Sequence, residues 1–143
     1  YFYWIHRFLH IPFLYKHVHA LHHRNINVGP WSGLSMHPVE HVIFLGSVMI
    51  HWIIAAHPVH ILFHLQYYAL TAATTHTGFE GVSIKDENRL VLGRFHHQMH
   101  HRYFECNYGS LEIPWDKFFG SFHDGTNEAD KRMKERRKRM MGN

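Results

Sequence analysis

Cysteine is almost missing from this chain: Cys106 is the only one in 143 residues. That excludes an internal disulfide and a zinc or iron–sulfur site built on several thiolates of this chain. No G-x-G-x-x-G nucleotide fingerprint and no C-x-x-C-H haem attachment occurs. Acidic and basic residues are also scarce, at 18% of the chain. They are unevenly placed, since seven of the fifteen Lys and Arg residues lie at 131–139, KRMKERRKR. A basic run can hold nucleic acid, but this one closes a chain rich in apolar and aromatic residues. It reads better as a cytosolic tail beside anionic lipid than as a nucleic-acid arm, with a solvated helical tail as the plain alternative.

What the chain has in excess is histidine, 18 in all. Eight fall into three tight boxes: His6 and His10 in HRFLH, His19, His22 and His23 in HALHH, and His97, His100 and His101 in HQMHH. Neutral imidazole is the commonest protein metal ligand near neutral pH. Residues four apart on a helix share a face, with Cβ atoms roughly 5–6 Å apart. One such pair alone is usually a surface or core feature. Two copies of H-x-x-H-H with one H-x-x-x-H are too many for one ion, and point to a two-metal site made almost wholly of histidine.

One domain accounts for 143 residues. The chain opens at Tyr1, without an initiator Met, in the aromatic run YFYWI. This reads as the end of a helix already under way, and predicts a piece of a longer protein lacking its N-terminal part. Residues 1–24 read as helical with a break near Pro12, and 25–38 as loop, punctuated by Gly29, Pro30, Gly33 and Pro38. Residues 74–95 read as loop with a short helix, 95–105 as the helix of the third box, 106–125 as loop and turn, and 126–143 as a basic, helical tail. No convincing run of strands is visible, so the fold class expected is all-α.

Residues 39–56 are apolar apart from Glu40, His41, Ser47 and His51, and 59–73 apart from His60, His64 and Gln66. His57 and Pro58 break the pattern. Each half would rise roughly 22–27 Å as a helix, against a bilayer core of about 30 Å. The reading is a membrane hairpin over 39–73, crossing thinly or dipping in. A buried hairpin of a soluble protein is the alternative that the mean hydropathy of -0.30 favours. A hairpin returns the chain to the side it left, so all three boxes and the basic tail fall on one face, expected to be cytosolic.

The boxes, in this order, resemble the fatty acid hydroxylase/sterol desaturase superfamily. So do YWIHRFLH, SMHPVEH after the second box, THTGFEG, and FHHQMHHRYFECNYGSLEIPWDKFFGSF, together covering roughly residues 3–122. The resemblance implies an integral membrane, non-haem di-iron oxygenase, with a four-helix membrane core under a cytosolic cap that binds two iron ions. It implies O2 as co-substrate, a membrane lipid that is hydroxylated or desaturated, and an external electron donor of cytochrome b5 or ferredoxin type. It places His76 among the metal ligands. Where many relatives have a second histidine four residues on, this chain has Glu80, which would either offset the charge of two Fe(II) or be a solvated loop acid beside a water ligand. Because metal-bound histidines usually donate their other N–H to a carboxylate or carbonyl, His96, Asn107 and Asp116 are expected to support the ligands, with His37 and Glu40 in a similar or structural role. His41, His51, His57, His60 and His64 are expected to pack or hydrogen-bond, and Trp115, Phe118 and Phe119 to pin the C-terminal segment. The rival class is a histidine-rich membrane protein that binds or transports metal.

Overall fold

The computed structural model describes residues 1–78, 81–84, 88–91, 94–110 and 113–141. Helices come first: α1 (Phe2–Leu9), α2 (Pro12–His17) and a 3-10 helix, His19–Arg24. Pro12 starts α2 in its first turn, where a missing N–H costs nothing. A second 3-10 turn, Pro30–Leu34, leads into α3 (Pro38–Leu45), the 3-10 turn Gly46–Met49 and α4 (Ile50–Ile53). After a break at 54–57 comes α5 (Pro58–Thr75). α3 and α5 open alike, on His-Pro-Val. In each the histidine Nδ1 accepts from the valine N–H, at 3.2 Å for His37 and 3.3 Å for His57, and proline follows as the first helical residue. An imidazole thus does the capping work usually given to Ser, Thr, Asp or Asn.

The two arms run antiparallel. Phe44 meets Tyr68, with ring centroids 6.1 Å apart, and Ser47 and His51 both meet His64. These contacts bring the two arms side by side. The first arm is broken into α and 3-10 turns, and no helix among the described residues is long and apolar enough to cross a membrane. The outer faces stay apolar all the same: Trp52 and Ile53 are each 83% exposed and Phe63 64%.

The segment expected to be loop with a short helix instead carries a small antiparallel pair, β1 (Gly81–Ile84) with β2 (Asn88–Val91), in which Val82 faces Leu90 and Ser83 faces Arg89. Four-residue strands give too little alternation to be recognised beforehand. The chain is otherwise helical among the described residues: α6 (Arg94–Tyr103) carries the third box, α7 (Trp115–Phe118) is one turn, and α8 (Asn127–Met141) is the basic tail. Trp115 and Phe119 pack on Tyr3 and Trp4, whereas Phe118 meets the edge of the Trp115 ring and stays 70% exposed.

The apolar core is small, centred on Leu9, Val18 and Phe44. Gly33 decides how close α5 comes to it. A Cβ there would lie 2.1 Å from the Ala72 carbonyl oxygen and 2.8 Å from His76 Nδ1. Gly33→Ala should therefore push the end of α5 outward and cost on the order of 1–3 kcal/mol. A thermal melt of the full-length protein checks this, and an unchanged midpoint would refute the tight contact.

Candidate metal centre

Helical spacing first sorts the histidines, and packing then gathers them. α1 puts His6 and His10 on one face. In each H-x-x-H-H box the two histidines four apart turn one way and the middle one turns the other. Two groups result: His6, His10, His19, His23 and His100, and His22, His76, His97 and His101. Within each group, one nitrogen per residue lies within 4.8 Å of all the others. The second box sends two members to the first group and one to the second; the third box does the reverse. The groups adjoin, with the His23 and His101 rings 4.7 Å apart.

The inward atoms are Nε2. His23 Nε2 lies 3.0 Å from that of His19, 3.2 Å from that of His10 and 3.1 Å from that of His100. His76 Nε2 lies 3.0 Å from those of His97 and His101 and 3.2 Å from that of His22. The outward nitrogens decide what these contacts are. Nδ1–H of His6 donates to the Tyr108 carbonyl at 2.7 Å, that of His100 to Cys106 at 2.6 Å, that of His76 to Ala72 at 2.7 Å and that of His22 to Ser35 at 3.2 Å. A carbonyl only accepts, so each of these rings carries its proton on Nδ1 and presents a bare lone pair at Nε2. His19 Nδ1 meets the Glu40 carboxyl group at 2.6 Å with both groups buried. Burial pushes Glu40 up to about 8, and a cation among the histidines would favour the carboxylate, with His19 Nδ1–H donating to it. Where both rings are fixed by a carbonyl, as for His22 and His76 with Nε2 atoms 3.2 Å apart, two lone pairs face each other and repel unless a cation lies between them. The Nδ1 atoms of His23 and His101 are buried without a hydrogen-bond partner among the described residues. The donor set fits a metal pair on its own chemistry.

Burial keeps these imidazoles neutral. Desolvation is the largest cause throughout. It draws His6, His10, His22, His97 and His100 well below their usual 6.5, helped by charge repulsion from the neighbouring histidines. His23 and His101 move the same way, and His19 falls to about 3.

The remaining sequence candidates divide. Asn107, in the left-handed region at φ 54°, donates to the carbonyls of His96 and His123 at 3.0 Å each and accepts from the His123 N–H at 2.7 Å. Asp116 accepts from the Tyr108 and Gly109 N–H groups at 2.9 and 2.8 Å and from the Ser121 hydroxyl at 2.6 Å. Neither touches a box histidine. They hold the turn that supplies the Cys106 and Tyr108 carbonyls to His100 and His6. His96 lies outside both groups, its Nε2 4.0 Å from Asp116. His37 caps α3 instead of contacting a ligand. Glu80 falls outside the described residues. Sequence reasoning missed the four backbone carbonyls, which leave no residue signature, and His123, buried and 2.9 Å from Asp130.

The family model described as fatty acid hydroxylase matches residues 1–121. The chain belongs to the fatty acid hydroxylase family. Among curated proteins of related sequence, the Delta(7)-sterol 5(6)-desaturase ERG3B of Gibberella zeae is 32% identical over 130 residues, covering 90% of this chain and 40% of that one. The lathosterol oxidase of Rattus norvegicus is 35% identical over 128 residues, covering 84% and 40%. A putative Delta(7)-sterol-C5(6)-desaturase 2 of Arabidopsis thaliana is 33% identical over 123 residues, covering 83% and 43%. The chain thus spans about two fifths of the length of the curated relatives it matches. No solved structure matches it. The family match takes in all three boxes, His76 and the 106–121 turn.

Two outcomes follow from this geometry. Histidines whose folded pKa is depressed leave the unfolded state holding more protons below pH 6.5, so stability is full above that pH and falls as pH drops. Each such histidine adds about 1.4 kcal/mol per pH unit to the slope. Urea titrations of the full-length protein in detergent at pH 7.5 and 5.5 should show a large loss at the lower pH, and equal midpoints would contradict neutral burial. Separately, Glu40→Ala removes the acceptor that orients His19, and should weaken metal affinity by roughly 10–100-fold. Competition against a chelator measures that loss, and unchanged affinity would show that Glu40 merely fills space.

Proposed function

We infer that the chain is the histidine-bearing part of an O2-dependent, non-haem di-iron oxidoreductase that desaturates a membrane lipid of sterol type. The observation that carries this reading is the convergence of nine deprotonated or buried imidazole nitrogens in two adjoining groups at the end of an apolar cavity. Imidazole alone suits zinc, copper and iron alike; family membership favours iron. Bound iron supplies the capacity to bind and reduce O2 with two electrons from an external donor. Overall, two hydrogens leave adjacent lipid carbons, and O2 with two electrons and two protons becomes two waters. Hydroxylation of the same carbon is the other outcome open to this chemistry, and the relatives' names favour desaturation.

The chain's own residues do the rest. His6, His10, His19, His23 and His100 would hold one ion, and His22, His76, His97 and His101 the other. The carbonyls of Tyr108, Cys106, Ala72 and Ser35 and the Glu40 carboxylate fix the rings in the tautomer that binds. A cavity of about 260 Å³ runs from the histidines between α1, α3 and α5, walled by Phe2, Met36, Phe44 and Tyr68. Such walls exclude water and suit an apolar body. The exposed apolar outer faces of the hairpin fit burial in lipid or against further helices, and the basic α8 fits the cytosolic side. The donor, of cytochrome b5 or ferredoxin type, would approach on that side.

The test is expression of the full-length gene with metal analysis and lipid mass spectrometry. A sterol should lose two hydrogens, and about two irons should bind per chain. Replacing His22 or His100 with Ala should lower bound iron and abolish the product. Zinc in place of iron with no lipid change would overturn the assignment.

A further inference from the structure

A chain of rings runs from the histidine centre to the surface at the start of α1. The Tyr108 ring is buried against three members of the first histidine group, with centroids 5.9 Å from His6, 5.0 Å from His10 and 5.3 Å from His100. On its other side it meets the buried Tyr3 edge to face, at 6.5 Å. Tyr3 meets Trp4 at 5.1 Å and Trp115 at 6.2 Å, and the two indoles lie 6.0 Å apart. Trp4 is 48% exposed. Centroids roughly 4.5–7 Å apart are ordinary aromatic contact, so packing alone accounts for the spacing. Packing does not account for the residue types. Each link from the centre to the surface is Tyr or Trp, while Phe119 packs on Tyr3 and Trp4 without being needed as a link. None of Tyr108, Tyr3 and Trp4 lines the cavity.

Tyr and Trp have electron-rich rings and give up one electron far more readily than Phe or an aliphatic chain. A donor that reduces the centre has no need of them, because the donor is itself the easier group to oxidise. They matter when the centre is the oxidant. In desaturation O2 takes four electrons, two from the external donor and two, with two hydrogens, from the lipid. If O2 reacts with no lipid bound, the last two must come from elsewhere. Two easily oxidised side chains stand close by. Met36 lines the cavity beside the histidines, and Cys106 is fully buried and holds His100 through its carbonyl. Arg7 gives the chain of rings a direction. It donates to the Tyr3 hydroxyl at 2.8 Å, and its guanidinium lies 5.9 Å from the ring centroid. A positive charge and a hydrogen bond to the oxygen both make Tyr3 harder to oxidise. An electron vacancy therefore does not rest there and moves on to the indoles. Tyr15 also touches the centre, 5.5 Å from His10 and 5.7 Å from His23, but the ring beyond it is Phe104. A vacancy on Tyr15 would stay beside the ligands.

We propose that Tyr108, Tyr3 and Trp4 form an electron relay that spares the histidine centre when O2 reacts there without a lipid. Electrons pass inward one at a time from Trp4, and a one-electron reductant in solution, such as ascorbate, refills Trp4. Each phenol releases its proton as its electron leaves and recovers one when it is refilled. O2, two electrons from the donor, two along the relay and four protons from water give two waters, and the reductant is oxidised by two electrons. The inference rests on the O2-reducing reading above and goes beyond it, since the relay serves the protein and not the lipid.

The experiment uses the purified, iron-loaded full-length protein in nanodiscs without sterol. Its iron is reduced with dithionite, the excess is removed, and O2 is added with or without ascorbate. Freeze-quench electron paramagnetic resonance reads the radical, with ring-deuterated Trp to identify it, and peptide mass spectrometry reads oxidation of Met36 and Cys106. The wild type should show a tryptophan radical that ascorbate removes, and little oxidation. Tyr3→Phe keeps the ring and loses the relay. It should abolish the tryptophan radical and raise oxidation of Met36 and Cys106 several-fold, with or without ascorbate, while bound iron stays at the wild-type level. Trp4→Phe combined with Trp115→Phe, a change nearer the surface, should move the radical to tyrosine and also raise oxidation. O2 uptake with the same radical and the same oxidation in the wild type and all these variants would overturn the relay and leave the lipid-oxidising reading intact. A rise in oxidation with Tyr15→Phe and none with Tyr3→Phe would overturn it too. Reduced wild type that consumes no O2 would sink the relay and the lipid-oxidising reading together.

Discussion

The histidine groups are arranged around one electrostatic constraint: imidazole lone pairs brought face to face, as at His22 and His76 across 3.2 Å, need a cation between them. Water would ordinarily relieve that repulsion by protonating a ring. Burial removes this escape, because an imidazolium stripped of water is costlier still. The residual option is metal. A bound metal pair would stabilise this part of the fold from its centre outward, where the apolar core built on Leu9, Val18 and Phe44 is small.

The constraint propagates to residues that touch no ligand. Holding five Nδ1 protons outward requires five fixed acceptors. Two of them sit on the 106–109 turn, and that turn is fixed by Asn107 and Asp116. His123 and α8 close the same network: the His123 N–H donates to Asn107, and its ring reaches Asp130 while stacking on Tyr103. A third acceptor, the Ala72 carbonyl, belongs to the end of α5 that Gly33 allows to approach. The hairpin is thus coupled to the metal centre by backbone as much as by side chains.

The hairpin itself faces two ways. Its outer surface is apolar and exposed, while its inner surface carries Ser47, His51 and His64 in contact with one another. Polar side chains in an otherwise apolar hairpin were legible as exceptions to the pattern. That they meet depends on the antiparallel register, which brings positions seventeen and thirteen residues apart into contact.

Much of the architecture could be read in the chain: the break at Pro12, the break near His57 and Pro58, the helix of the third box and the charged final helix. These rest on local causes, namely proline geometry, apolar runs and charge. The 3-10 form of the second box and the pairing of residues 81–84 with 88–91 could not be read, because such short segments follow their neighbours more than their own propensity. By itself the sequence determined which histidines can share a helix face, since backbone periodicity alone does that. It also determined that eight of them occur in boxes too many for one ion. Only the tertiary structure decided how the boxes divide between two groups, that Glu40 pairs with His19 while His37 caps a helix, and which nitrogen is left bare in the rings whose Nδ1 meets a backbone carbonyl. Those outcomes turn on carbonyls and carboxylates as far as 102 residues away along the chain, whose positions no local pattern encodes.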